Sequence, residues 1–476
     1  MKYVVSKVFV MPEDGPTVIR KKVAQKLGVR VTSLHVEVLS KQWWRGKTGG
    51  MVELCVEAET NEFIHNTAYL PTSSEEIPLP SMQMKISPVI VGFGLRGALT
   101  AFLFAKMGLK PIILEEGEEL PLREGKQKDK SFDYIRGEGG LSVYSGLLFS
   151  PRDLSPTMRS LLQEEGILFE GVDAHQYLPA AFLKSLVKKL HEVILAKGGT
   201  ILFQHKYTGQ KRFLGKLRGI YCDYHNERKF IRTSTVVFTN GLGDDEFFMG
   251  CCIESSPRLF NQFVYGKAIV DAKFPPYYAE TVFKPKGGRE SLLMTGLPKA
   301  SMLDVFSHAS LLGETLEFNA KGKNALSYVG VSVSMEEGVR LMKEGYVSGK
   351  PFATPYSTIS DFFFRRDPLK LGTVKPINAS RVILTSVNRL LGNAVSPELE
   401  KAVKQFGKAF PYLLQEDALI GGLVLLRGSK NAENQNIGAK DQYFVSVRAR
   451  KSLDFSIIAN AAFQCALDVA HSCKTH

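Results

Sequence analysis

Three glycines have the spacing with the clearest chemical meaning, Gly92-Phe93-Gly94-Leu95-Arg96-Gly97, directly behind the apolar run Val89-Ile90-Val91. Glycine at these places allows a tight turn, lets backbone N–H groups approach a pyrophosphate, and lets the following helix lie close to its strand. A helix opening at such a turn offers unpaired N–H groups and a partial positive charge to an anion. The next apolar strand, Ile112-Ile113-Leu114, ends at Glu115, 23 residues after Gly92. A carboxylate there accepts from the ribose hydroxyls of an adenosine. Glu116 competes for this place, and strand alternation after Leu114 selects Glu115. The competing account of the glycines is a strand-to-helix turn in which they serve packing alone.

No Ser-His-Asp grouping, metal-ligand spacing or G-x-x-x-x-G-K-[ST] loop accompanies this turn, so hydrolase, metal-site and P-loop readings have no residues to rest on. The six cysteines, Cys55, Cys222, Cys251, Cys252, Cys465 and Cys473, lack C-x-x-C spacing, and adjacent Cys251-Cys252 is a poor disulfide pair. They are expected reduced and mostly buried. The formal charge of +13 admits an acidic partner. Lys21, Lys22, Lys26, Arg45 and Lys47 are the residues on which a nucleic-acid contact would rest. The basic residues are scattered, however, and a solvated basic surface is the expectation. No apolar run reaches the roughly 20 residues of a spanning helix. The first residues lack the pattern of a leader. A cytoplasmic protein is expected.

Several elements must position the turn. Residues 2–10 read as a strand and Pro16 to Leu27 as a helix, with Pro at its start and Gly28 past its end. Two β-rich segments, Val31 to Leu39 and Met51 to Ala58, flank a turn at Gly46 to Gly50, completing a small βαββ domain. Pro71 to Pro80 reads as a linker. After the glycine unit, Ala181 to Ala196 has helical period and Gly198 to Phe203 reads as a strand. Arg218 to Tyr224 and Lys229 to Phe238 read as a β-meander, and Leu453 to Ala470 as a mostly helical stretch. At 476 residues the chain exceeds the usual size of one core.

From Gly92 onward the chain resembles a bacterial family of FAD-dependent, NAD(FAD)-utilising dehydrogenases that carry a small ferredoxin-like N-terminal domain. The residues behind the resemblance are Gly92 to Gly97, Leu114-Glu115-Glu116-Gly117, Arg123, and Gly137-Glu138-Gly139-Gly140. Arg45 with Lys47, Val236 to Gly241, and Ser360-Asp361-Phe362 add weaker similarity. The resemblance implies an α/β fold: an FAD/NAD(P)-binding Rossmann-like domain with an inserted substrate domain, preceded by a small α+β βαββ domain. The implied boundaries are 1–80 for the small domain and linker, 81–250 and 376–476 for the two parts of the FAD-binding domain, and 251–375 for the insert. It implies FAD held by Gly92, Gly94, Gly97, Glu115, Arg123, Gly139 and Gly140, NAD(P)H as a redox partner, and a small organic substrate. His175 matches a family histidine and is a candidate general acid or base; a structural hydrogen-bonding role is its ordinary alternative. No catalytic residue is assigned.

Four segments depart from the family pattern. Leu95 and Arg96 stand in the first turn, Leu293 to Pro298 replaces a cysteine-containing segment, and only Arg427 and Ser429 remain of another. Val447-Arg448-Ala449-Arg450-Lys451 stands where the family has a glycine loop over the flavin. Bulkier residues there block backbone approach, although Arg448, Arg450 and Lys451 are charged donors for a phosphate. The alternative expectation is therefore a non-catalytic binding or scaffold protein on the flavoprotein fold.

Overall fold

The computed structural model describes residues 2–11, 14–46, 49–62, 64, 77–126, 133, 135–149, 153–169, 176–239, 245–255, 279–283, 288–298, 300–307, 310–318, 325–344, 354–376, 382–408, 411–429, 441–445, 447 and 454–474. The chain divides into two compact units. One comprises 76–247, 303–317 and 426–476; the other comprises 1–75, 248–302 and 318–425.

The unit that contains the glycine turn is built on β1 (Val89–Val91), α1 (Leu95–Lys106), β2 (Ile112–Leu114), α2 (Leu120–Lys126), α3 (Ala180–Ala196) and β3 (Thr200–Leu202). There follow β4 (Lys206–Phe213), β5 (Lys216–Tyr224), β6 (Glu227–Arg232), β7 (Val236–Phe238), β8 (Gln442–Phe444) and α4 (Phe455–Lys474). Five strands form a parallel sheet in the order β8-β7-β1-β2-β3. This is the Rossmann-like α/β arrangement. The chain leaves β1 toward β2 and β3, then returns on the other side of β1 with β7. The strand order thus reverses at the carboxyl end of β1, the place where such sheets bind ligands.

Strand alternation divides the core into two layers. Ile90, Ile113 and Val237 join the buried residues of α1, α3 and α4 on one face. Val89, Val91, Leu114, Val236 and Phe238 face Leu217, Ile220 and Cys222 of the second layer. That layer is the antiparallel meander β4-β5-β6. Val236 to Phe238, expected to end the meander, instead lies parallel between β1 and β8. Its three consecutive buried residues fit a strand covered on both faces. The meander's third strand is Lys206–Phe213.

The other unit carries most of a ten-stranded sheet. Lys2–Val10 pairs with Gly49–Thr60, which pairs with Leu34–Gly46. This hairpin is longer than the two short segments expected. Helix Pro16–Leu27 ends as expected, with Gly28 at φ 71° donating its N–H to the Ala24 carbonyl. The N-terminal strands do not form a sheet of their own, because Leu34–Gly46 meets Ala279–Phe283 in parallel at Gln42 and Glu280. Within this unit Glu254 is fully buried and accepts the Tyr356 hydroxyl at 2.9 Å. Among the described residues no helix is long and apolar enough to cross a membrane. Four of the six cysteines, Cys222, Cys251, Cys252 and Cys465, are buried.

Candidate functional site

The three glycines of the first turn do different work. Gly92 has φ 100° and donates its N–H to the Leu114 carbonyl at 2.8 Å, tying the end of β1 to β2. A Cβ on Gly97 would lie 1.9 Å from the Gly92 carbonyl oxygen, so only glycine lets α1 return this close to its strand. Gly94 is unlike both. Its φ of −65° and ψ of −179° suit any residue, and a Cβ there would meet no atom of the described residues within 4 Å. Neither the backbone nor the neighbouring chain accounts for glycine at 94. A bare Cα facing open space in front of a helix does.

Gly94 is also the N-cap of α1. No side chain caps this helix, and no acid lies in its first turn. A helix start without a side-chain cap or a nearby acid is one that can receive an anion. Across the strand reversal, the Thr239 hydroxyl donates to the Val91 carbonyl at 2.9 Å and the Gly92 carbonyl at 3.0 Å. This bond joins β7 to the turn.

The second glycine segment, Gly137 to Gly140, lies directly on the first. The Gly139 N–H donates to the Phe93 carbonyl at 2.8 Å, and Gly94 and Gly139 form a parallel bridge. A Cβ on Gly140 would come 3.4 Å from the Gly94 Cα. Gly137, Gly139 and Gly140 all have positive φ, which lets the loop fold this tightly.

Glu115 and Arg123 hold this loop pair together. Glu115 is 6% exposed. Its carboxylate accepts the Phe93 N–H at 2.7 Å and the Gly117 and Gly137 N–H groups at 2.8 Å each. A carboxylate offers about four lone-pair sites, so three are occupied by backbone and one is left. Glu116 points elsewhere, 3.5 Å from Arg136 and 3.4 Å from Lys206. Arg123, from α2, is buried. Its guanidinium donates to the carbonyls of Glu138 and Gly140 and lies 4.9 Å from the centre of the Tyr144 ring. Burial pulls the pKa of this guanidinium down.

Glu138 completes the cluster. It is 2% exposed, accepts the Leu120 N–H at 2.7 Å, and meets His191 Nδ1 of α3 at 2.6 Å. The hydrogen bond to Glu138 raises the His191 pKa above its ordinary value, against a smaller opposing effect of burial. The His191 ring packs beside Phe93 and Phe203, with centroids at 5.9 and 6.1 Å.

The structure thus brings Gly92, Gly94, Gly97, Glu115, Arg123, Gly139 and Gly140 into one connected cluster. Sequence reasoning missed His191 and Thr239. His191 follows Leu190 at the edge of an apolar helical stripe, and that is the only local sign of it. His175, Arg448, Arg450, Lys451 and Lys47 lie outside the described residues. Lys22 is taken up by the Phe9 carbonyl and Asp14. Asp361 is bonded to Arg366 and to the Thr358 hydroxyl, residues that flank its own short helix, Ile359–Phe364. Asp454 caps α4, accepting the Ser456 N–H at 2.8 Å. Among the described residues no group of His, Cys, Asp and Glu has the arrangement of a metal site.

No family model matches the chain. An uncharacterized protein of Clostridium beijerinckii is 25% identical to it over 425 residues, covering 78% of each chain. Among solved structures, a geranylgeranyl bacteriochlorophyll reductase-like protein from Thermoplasma acidophilum aligns at 14% identity with a TM-score of 0.36, covering 82% of this chain and 78% of that one. Glycine oxidase from Bacillus cereus aligns at 13% identity with a TM-score of 0.31, covering 82% of this chain and 98% of that one.

Proposed function

We propose that the Rossmann-like unit binds FAD and that the chain is an FAD-dependent oxidoreductase acting on a small organic substrate. The observation that carries this reading is Gly94: its missing side chain faces open space at an uncapped helix start, at the reversal of strand order. The residues present fit the adenosine and pyrophosphate part of the cofactor. The first N–H groups of α1 would receive the pyrophosphate, with Gly94 leaving room for it. The remaining lone pair of Glu115 would accept one ribose hydroxyl. Gly139 and Gly140, held by Arg123, would form the facing wall.

When bound, the flavin supplies the electron transfer itself. The chain's part at this site is to hold the cofactor in place.

The test is the visible spectrum of freshly purified protein, followed by titration with FAD. Flavin absorbance, or saturable binding of added FAD, is expected. The Gly94→Ala variant should keep the parent's unfolding midpoint, since its Cβ meets no atom of the described residues, yet bind FAD at least about ten-fold more weakly. A colourless protein that takes up no FAD sinks the proposal.

A further inference from the structure

The meander of the same unit has an outward face that the cofactor site does not use. Residues 206–232 contain eight Lys and Arg against two acids, Asp223 and Glu227. Lys206 lies 3.4 Å from Glu116, and Arg212 lies 2.6 Å from Asp441. Of the other six, Lys211, Lys216, Arg218, Arg228 and Arg232 are exposed on this face and, among the described residues, form no ion pair, whereas Lys229 pairs in register with buried Cys222 on the opposite face.

Aromatic rings lie among these cations. Tyr221 and Phe230 are register partners, with ring centroids 5.3 Å apart. Arg228 lies 4.1 Å from the Tyr221 ring, Lys211 5.7 Å from Phe230, and Arg218 5.7 Å from Phe213. Gly219 makes room for this, because a Cβ there would strike the Phe230 ring at 2.4 Å.

At one end of the face, Leu214-Gly215 joins Phe213 to Lys216, which are themselves register partners. Both turn residues have positive φ, 49° and 75°, the sign required by a type I′ hairpin turn, which favours Asn-Gly. A leucine in this backbone is strained. Its side chain is nevertheless 83% exposed, and Phe213 beside it is 59% exposed. Neither backbone preference nor burial accounts for leucine at the tip.

We propose that this hairpin is a membrane-surface anchor: Phe213 and Leu214 enter the headgroup region of an anionic bilayer, and the surrounding cations, which lack an acidic partner among the described residues, meet lipid phosphates. Apolar side chains flanked by Lys and Arg are what an interface takes up, with electrostatic attraction adding to apolar burial. A single-stranded nucleic acid would also match the charge. It needs ring faces open for base stacking, and Tyr221, Phe230 and Phe213 already carry their own cations. The exposed leucine at the tip has no role in stacking.

The test is co-sedimentation of the full chain with phosphatidylcholine vesicles, with and without about a quarter phosphatidylserine. Binding is expected to the anionic vesicles alone and should weaken with salt. Replacing Lys211 or Lys216 by Ala should lower it about five-fold each. The pair Phe213→Ser and Leu214→Asn should lower it at least about ten-fold while leaving FAD binding as in the parent. No vesicle binding, equal binding to both vesicle types, or unchanged binding by the pair overturns the proposal. Tighter binding to a single-stranded oligonucleotide than to vesicles, unchanged in the pair, overturns it in favour of nucleic acid.

Discussion

The Glu115 carboxylate accepts the Phe93 backbone N–H at 2.7 Å, so the acid that ends β2 grips the middle of the glycine turn that ends β1. The same carboxylate reaches Gly117 and Gly137. An acid serving only a ribose would leave the ligand-free protein indifferent to its loss. Glu115→Gln should instead lower the stability of ligand-free protein by about 1–3 kcal/mol, because an amide turns one N–H group toward a buried donor. Urea unfolding checks this, and an unchanged midpoint would return Glu115 to a ligand-only role.

Gly94 and Gly97 separate room for a ligand from room for the chain. Gly97→Ala places a Cβ 1.9 Å from the Gly92 carbonyl oxygen. It should cost about 4 kcal/mol or more, as overpacking against backbone does at its worst. Gly94→Ala should cost little stability, since no atom of the described residues lies within 4 Å of its Cβ. Soluble yield and thermal unfolding of the two variants distinguish them. Equal losses at both positions would mean that the space at Gly94 is filled by the chain.

The His191–Glu138 pair should make the second glycine loop sensitive to pH. Glu138 raises the His191 pKa; burial opposes it, and Glu119 and Glu192 add to the rise. Phe93 and Phe203 are the rings packed on it. A raised folded pKa means that the protonated imidazolium favours the folded loop. Its contribution is complete below the unfolded value of about 6.5 and is lost as pH rises through the higher folded value. FAD affinity and unfolding midpoint should therefore decline as pH rises above about 6.5. The decline should be smaller in His191→Gln, and equal slopes in parent and variant would remove the link.

What was legible in the sequence was local. Gly92, Gly94 and Gly97 lie within six residues, behind an apolar strand, so one turn's geometry could be read from spacing. Glu115 followed from the strand after the helix. The partners that fix these residues come from far along the chain. Thr239 reaches Gly92 only because β7 inserts beside β1, and strand pairing at such separation leaves no periodic trace. Sequence alone puts Val236 to Phe238 in the meander because a three-residue apolar run looks alike in either sheet. The difference lies in burial on both faces. Glu115 was read by type as a ribose acceptor, whereas its three backbone donors depend on the fold of two glycine loops.

Leu214 sets stability against surface binding. Leucine at φ 49° carries a Cβ into the left-handed region, at a cost of about 1 kcal/mol that Asn largely avoids. With its side chain 83% exposed, little packing is returned for that strain. Leu214→Asn should therefore raise the urea midpoint, by up to about 1 kcal/mol in free energy, while weakening attachment to anionic vesicles. The two changes have opposite sign, so general damage to the unit cannot produce them together. A fall in stability would show instead that the leucine is held by packing, and would leave the tip without its reason to face outward.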